Sequence, residues 1–214
     1  MRRVAVIDYG MGNLRSVSKA LEAVSGDQAD IIVSADPDTI LSASHVVFPG
    51  VGAIRDCIAE LKRLHLDQVV LEAARSKPLL GICLGMQALL SHSEENNGVD
   101  ALGVFPGDVK FFDKPADTDG NKLKVPHMGW NQVQQTCDHP LWKDIEQNSR
   151  FYFVHSYYVS PADPALIAGT AQYPDDFAAA IYRDNVFAAQ FHPEKSQHAG
   201  LKLLENFVNW DGQS

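Results

Sequence analysis

Pro78-Leu79-Leu80-Gly81-Ile82-Cys83-Leu84-Gly85-Met86-Gln87 is the stretch on which the reading of the chain turns. The apolar run Leu79–Ile82 has the length of a buried strand, and Gln87-Ala88-Leu89-Leu90 reads as the first turn or two of a helix. A strand that turns sharply into a helix, with glycine two residues before and after a nucleophile, has the layout of a nucleophile elbow. A Cβ at position 81 or 85 is expected to collide with the neighbouring strand and helix. Cys83 is then expected at the tip, its thiol exposed at the carboxyl end of the sheet. There it also sits at a helix N-terminus, where aligned peptide dipoles favour a thiolate. The competing reading is a buried structural cysteine in an ordinary βα turn.

Upstream, strand and helix alternate. Val4–Ile7 is a continuous apolar run, as for a strand buried on both faces. Gly10-Met11-Gly12-Asn13 is a turn, and Leu14, Val17, Leu21 and Val24 recur at helical spacing. Gly10 and Gly12 open like a dinucleotide fingerprint, but Arg15 stands where the third glycine is required, so a tight turn is the better reading. Asp30–Val33 is a second strand. Asp36-Pro37-Asp38 starts a helix with proline at its first position, and His45–Phe48 is a third strand, ended by Pro49-Gly50-Val51-Gly52. Ile58, Leu61 and Leu64 share a helical face, and a further helix covers Leu66–Arg75. This alternation predicts a mainly parallel sheet with helices on both faces.

After about residue 100 the pattern changes. Val104–Phe112, Leu123–Val125, Trp130–Gln134, Phe151–Val159, Leu166–Ala171, Ala178–Tyr182 and Val186–Gln190 read as strands with turn signals between some of them. The expectation is an antiparallel or mixed extension of the sheet. Asp113–Lys122 reads as a surface loop and Gly200–Trp210 as a closing helix. With no linker or repeat, residues 1–214 are expected to form a single domain around an α/β sheet.

A net charge of −9 argues against a nucleic-acid or anionic-membrane partner, and no apolar run approaches the length of a membrane span. The cysteines at 57, 83 and 137 are odd in number and lack paired spacing, which points to a reducing, cytoplasmic compartment. His45, His65, His92, His139 and His198 show no metal-ligand spacing. Cys57 and Cys137 lack flanking elbow glycines and read as inert.

A cysteine nucleophile needs a base and a group that orients the base. Phe191-His192-Pro193-Glu194 follows a core strand, so His192 and Glu194 are expected at the same sheet edge as Cys83. Two residues apart in extended chain, they are expected to point the same way. An oxyanion needs donors. The Leu84 N–H is one, and Val51, flanked by Gly50 and Gly52, can turn its N–H into the site. His127 and His155 read equally well as lining the site or an interface, or as satisfied structural histidines.

Pro49-Gly50-Val51-Gly52, Gly81–Gln87 and Gln190-Phe191-His192-Pro193-Glu194 together resemble the three signatures of the class I (triad) glutamine amidotransferases. The segments Ile7–Asn13, Lys124–Asn131 and Tyr152–Tyr157 resemble the branch that serves histidine biosynthesis. The resemblance implies a flavodoxin-like fold and glutamine hydrolysis through a Cys83 thioester, with His192 as base and acid and Glu194 as orienter. It implies an oxyanion hole at Val51 and Leu84, and substrate contacts at Gly50, Gly52, Gln87, Ser156 and Tyr157. No cofactor or metal is implied. Ammonia would pass to a separate (β/α)8-barrel cyclase subunit in a heterodimer, there to yield imidazole glycerol phosphate and an aminoimidazole carboxamide ribonucleotide. Gly10–Asn13 and Met128–Trp130 would face that partner. The alternative is a free-standing Cys-His-Glu γ-glutamyl hydrolase on the same fold.

Overall fold

The computed structural model describes residues 1–113, 115, 116 and 119–213. The first half alternates as β1 (Arg2–Ile7), α1 (Leu14–Ser25), β2 (Ala29–Ser34), α2 (Pro37–Ser42), β3 (His45–Gly50), α3 (Ile54–Arg63), α4 (Leu66–Ser76), β4 (Leu79–Cys83) and α5 (Leu84–Ala88). There follow β5 (Leu90–Ser93), β6 (Val99–Asp100), β7 (Phe105–Phe111), β8 (His127–Gln132), β9 (Gln134–Gln135), β10 (Arg150–His155), β11 (Tyr157–Pro161), β12 (Ile167–Gln172), β13 (Asp176–Arg183) and β14 (Val186–Ala189). The chain closes on α6 (Gln197–Asn209).

Side by side, β2, β1, β3, β4 and β14 form a parallel block. Antiparallel β13, β11 and β7 continue the same 12-stranded sheet. β3, β4 and β14 are buried along their whole length, and β1 from Val4 to Ile7, because both faces are covered there; β2, at the edge, is only partly buried. Val4 and Val6 enter one core with Val17 and Leu21 of α1 and Leu203, Leu204 and Phe207 of α6. Ala5 and Ile7 point the other way, into a core with Ile40, Ile58, Leu61 and Val70 of α2, α3 and α4. At the start of α2, Asp36 accepts from the Thr39 N–H at 2.8 Å and Pro37 occupies the first turn, as the sequence predicts.

Three expectations need correction. The helix after Cys83 ends at Ala88, and Leu90–Ser93 turns into β5, parallel to β7. Leu89 and Leu90 are both fully buried, in the core that also takes residues of α3 and α4. Leu123–Val125 is not a strand, since Leu123 N–H bonds the Pro115 carbonyl across a loop closed by a bridge between Ala116 and Lys122. Of the expected Asp113–Lys122 loop, residues 114, 117 and 118 lie outside the described residues. The expected strand Phe151–Val159 is two strands broken at Ser156. β10 pairs with β8 alone, as a two-stranded ribbon, whereas β11 belongs to the main sheet. The chain thus leaves the ribbon and enters the sheet at Ser156. Among the described residues no helix is long and apolar enough to cross a membrane.

Candidate active site

The carboxyl ends of β3 and β4 meet with Gly50 and Cys83 opposite each other in register. A Cβ on Gly85 would lie 1.9 Å from the Phe48 carbonyl oxygen, and one on Gly81 3.0 Å from the Ala188 Cβ. Only glycine allows α5 to start so close against β3. The turn costs Cys83 an unusual backbone, with φ +55° and ψ −110°. That conformation is one that side-chain-bearing residues seldom adopt, and the packed elbow holds it there. The expectation of an exposed thiol is corrected here. Cys83 is only 7% exposed, because the site is a cavity of about 320 Å³ rather than an open tip. Its helix is only five residues long.

Cys83 and His192 line this cavity together. His192 Nδ1 donates to Glu194 Oε1 at 2.9 Å, and both side chains are buried. The route differs from the expected extended strand. β14 stops at Ala189, and Pro193 starts a short 3-10 turn that folds the carboxylate back onto the ring. His192 is pinned at both backbone ends, its N–H on the Tyr152 carbonyl and its carbonyl on the Ser196 hydroxyl. Its Nε2 is buried and makes no formed hydrogen bond within the protein. Burial lowers the His192 pKa, but the hydrogen-bonding and charge interactions with Cys83 and the Glu194 carboxylate outweigh it and raise it to about 9. At neutral pH the imidazole therefore holds a proton, and the ring shares the cavity with the Cys83 sulfur.

Val51, Gly52, Leu84, Gln87, Ser156 and Tyr157 also line the cavity. Gly50 does not. It lies beneath, where a Cβ would meet the Tyr9 hydroxyl at 2.6 Å and Leu84 Cβ at 2.9 Å. Gly52 has φ +96°, a left-handed conformation suited to glycine, and Val51 stands at the rim, 37% exposed.

Three contacts escaped the sequence. Gln190, fully buried, directs Nε2 at the Cys83 sulfur at 3.7 Å and accepts from Gln87 Nε2 at 3.0 Å. Asn13 donates to Glu194 Oε1 at 3.2 Å, so the turn after β1 reaches the His–Glu pair. Glu95 brings a carboxylate to the cavity wall while accepting from the Ile54 N–H at the start of α3. None carries a local signal, since each joins segments distant in the chain. Among the described residues no cluster of three or more His, Cys, Asp or Glu is arranged to hold a metal ion. Cys57 is sealed in the core beside Tyr9, and burial pushes its thiol up to about 12.

The family described as "Glutamine amidotransferase class-I" matches residues 5–210. The chain is 58% identical over 213 residues to the imidazole glycerol phosphate synthase subunit HisH of Pseudomonas putida, covering 100% of both chains. It is 60% identical over 215 residues to the subunit of the same name from Nitrosococcus oceani, again covering 100% of both. Solved structures share the fold at low identity. A glutamine amidotransferase superposes with a TM-score of 0.71 at 14% identity, over 97% of this chain and 99% of that one. PurLQS from Thermotoga maritima gives 0.70 at 19%, over 97% and 98%.

Proposed function

The chain belongs to the class-I glutamine amidotransferases, among the HisH subunits of imidazole glycerol phosphate synthase, and on that premise we propose how its residues carry the reaction. The protein is a glutaminase that works as one subunit of a synthase of histidine biosynthesis. The Cys83 thiolate attacks the γ-carboxamide carbon of glutamine. The carbonyl oxygen becomes an oxyanion, received by the N–H groups of Leu84 and Val51. The C–N bond breaks as the His192 imidazolium gives its proton to the departing nitrogen, leaving a thioester and ammonia. His192, now neutral, takes a proton from water, which attacks the thioester. Glutamate leaves and the thiolate returns.

Glu194 holds His192 with Nδ1 protonated throughout, so Nε2 is the working nitrogen. Gly52, Gln87, Ser156 and Tyr157 form the wall for the amino-acid end of the substrate, with Gly50 as packing beneath it. Glu95 offers a counter-charge for the α-ammonium group. The observation that carries the assignment is the His192–Glu194 pair, joined at 2.9 Å, with His192 lining one cavity together with Cys83.

The partner subunit is, in this reading, a (β/α)8-barrel cyclase that receives the ammonia and forms imidazole glycerol phosphate. Its docking surface runs over Gly10–Asn13 and the exposed Met128 and Trp130, which are 62% and 44% exposed. Met128 pairs in register with Val154 of the cavity wall, which supports a docking surface close to the site. Residues 1–214 act as one amidotransferase domain, and the free cysteines suit a cytoplasmic location.

Cys83→Ala tests the reading. In the complex it should abolish glutamine-dependent synthesis and leave synthesis from added ammonia intact. Glutamine turnover within about tenfold of wild type would refute the assignment.

A further inference from the structure

The ribbon of β8 and β10 carries a histidine pair that the reaction above does not use. His127 and His155 stand opposite each other in register, both buried. Nδ1 of His127 lies 2.9 Å from Nε2 of His155. Their protons follow from their neighbours. His155 Nδ1 is 2.8 Å from the Tyr157 carbonyl oxygen, which can only accept, so Nδ1 carries the hydrogen and Nε2 of the neutral ring is bare. His127 Nδ1 must therefore donate, which leaves its own Nε2 bare.

The far end gives the same answer independently. Asn131 Nδ2 donates to the Gln172 carbonyl at 2.9 Å, which fixes the amide's orientation. The same Nδ2 lies 3.3 Å from His127 Nε2, which must accept. One tautomer of each ring, both neutral, satisfies every contact. Tyr173 stacks on His127 at 4.2 Å, and Phe112 and Phe177 close over His155 at 5.2 Å each. Burial in this aromatic cage lowers both pKa values, His127 to about 4 and His155 to about 3, so neutrality holds at working pH.

The line ends on the Tyr157 carbonyl, which also accepts from Gln87 Nε2 at 3.0 Å. Both lone pairs of that oxygen are thus assigned, one to the histidine line and one to Gln87. Gln87 in turn holds Gln190, and Gln190 reaches the Cys83 sulfur. We propose that His127 and His155 are positioning residues for glutamine. Their one-way hydrogen-bond line fixes the Tyr157 carbonyl, and with it the Ser156–Tyr157 wall and the Gln87 amide, in the orientation that receives the amino-acid end of the substrate. This rests on the reading of Ser156–Tyr157 as the substrate wall.

Without the His127 donor, His155 Nε2 is left bare in an apolar cage. Shifting its proton to Nε2 turns a lone pair against the Tyr157 oxygen, and the wall is pushed out of place. The bond-breaking groups on β4 and after β14 stay where they are, so substrate binding suffers more than chemistry.

The test is steady-state glutaminase activity of the complex with its partner subunit. His127→Phe keeps the stacked ring and deletes the donor. It should raise KM for glutamine about tenfold, with kcat within about threefold. Alkylation of Cys83 by iodoacetamide, which has no amino-acid end, and affinity for the partner should not change. His127→Gln, which restores a donor, should recover most of the loss, and Asn131→Leu at the half-buried end should raise KM about threefold. A KM for His127→Phe within about twofold of wild type overturns the proposal, as does a fall in kcat at unchanged KM. Should His127→Phe fail to fold, an unchanged KM in Asn131→Leu overturns it equally. A wild-type complex inactive on glutamine refutes the site assignment itself, and is read from a separate arm of the experiment.

Discussion

The two walls of the cavity are built by opposite means. One is the carboxyl edge of the parallel strands, and it is set by backbone. Gly85 leaves α5 no room to shift against Phe48, and Cys83 is held at φ +55°. The other wall hangs on a two-stranded ribbon that pairs with no further strand among the described residues. Apart from the Tyr152 peptide, which bonds the His192 N–H and the Ser196 hydroxyl, side chains hold it: the line from Asn131 through His127 and His155, and the rings packed around them. The ribbon is also two-faced, because successive residues alternate sides. His127, Phe153 and His155 point inward, whereas Met128, Trp130 and Tyr152 point outward. Reacting groups sit on the wall that backbone fixes. In the reading proposed above, recognition of substrate and partner falls to the wall that side chains can tune.

The largest effects should come from the backbone-set side. His192→Asn removes the proton carrier beside the thiol and should lower kcat for glutamine about a thousandfold. Glu194→Gln should cost less, because it loosens the base without deleting it. It should also move the pH profile. With the His192 pKa raised to about 9, the imidazolium persists through neutral pH, and wild-type kcat/KM should fall as pH rises through about 9. The carboxylate is one of the groups that raise that value, so in Glu194→Gln the alkaline limb should move to lower pH. The stability linked to this group has the same sign: fully present below the ordinary histidine pKa and lost as pH climbs through about 9. Rates measured from pH 6 to 10 decide the matter. A limb that stays put in Glu194→Gln, or a loss larger than that of His192→Asn, would reverse the roles.

A smaller effect should separate the two faces of the ribbon. Met128→Asp and Trp130→Asp change the outward face, and each should weaken binding of the partner subunit about thirtyfold, as loss of an apolar anchor does. Iodoacetamide alkylation of Cys83 in the isolated chain should be unchanged. If either variant alters that alkylation, the two faces are not independent and the division drawn between the walls fails.

The same division governs what the sequence makes legible. The elbow is readable because its constraint is local: two glycines bracket the residue that must turn. The central parallel strands are readable because burial on both faces writes an apolar run into each. Leu90 deceives, since it extends an apolar run that suits a helix, and only its distant partner Phe105 makes it a strand. Phe151–Val159 deceives in another way. Its pattern runs on through Ser156, where the chain changes sheets, and nothing in the side chains marks the change. Gln190 on Cys83 and Asn13 on Glu194 are side-chain meetings across more than 100 residues. Such contacts exist only once the sheet has formed.

The smallest predicted effect tests whether the elbow itself is strained. Cys83 adopts φ +55° and ψ −110°, close to the mirror image of an ordinary extended conformation. Glycine reaches mirror-image backbone at no steric cost, whereas any residue with a Cβ is disfavoured there by about 1–3 kcal/mol. Comparing Cys83→Ala with Cys83→Gly removes the thiol from both and isolates the Cβ. Glycine gives back about 0.4–1 kcal/mol through the greater freedom of its unfolded chain. The Cβ itself contributes little packing, because it borders a cavity rather than a filled core. Cys83→Gly should therefore be the more stable of the two inactive variants, by about 1 kcal/mol, or roughly 2–4 °C in Tm for a chain of this length. Denaturant unfolding of the two proteins side by side measures it. If the alanine variant is equally or more stable, the backbone at the nucleophile is relaxed, and the contrast between a backbone-set and a side-chain-set wall loses its main support.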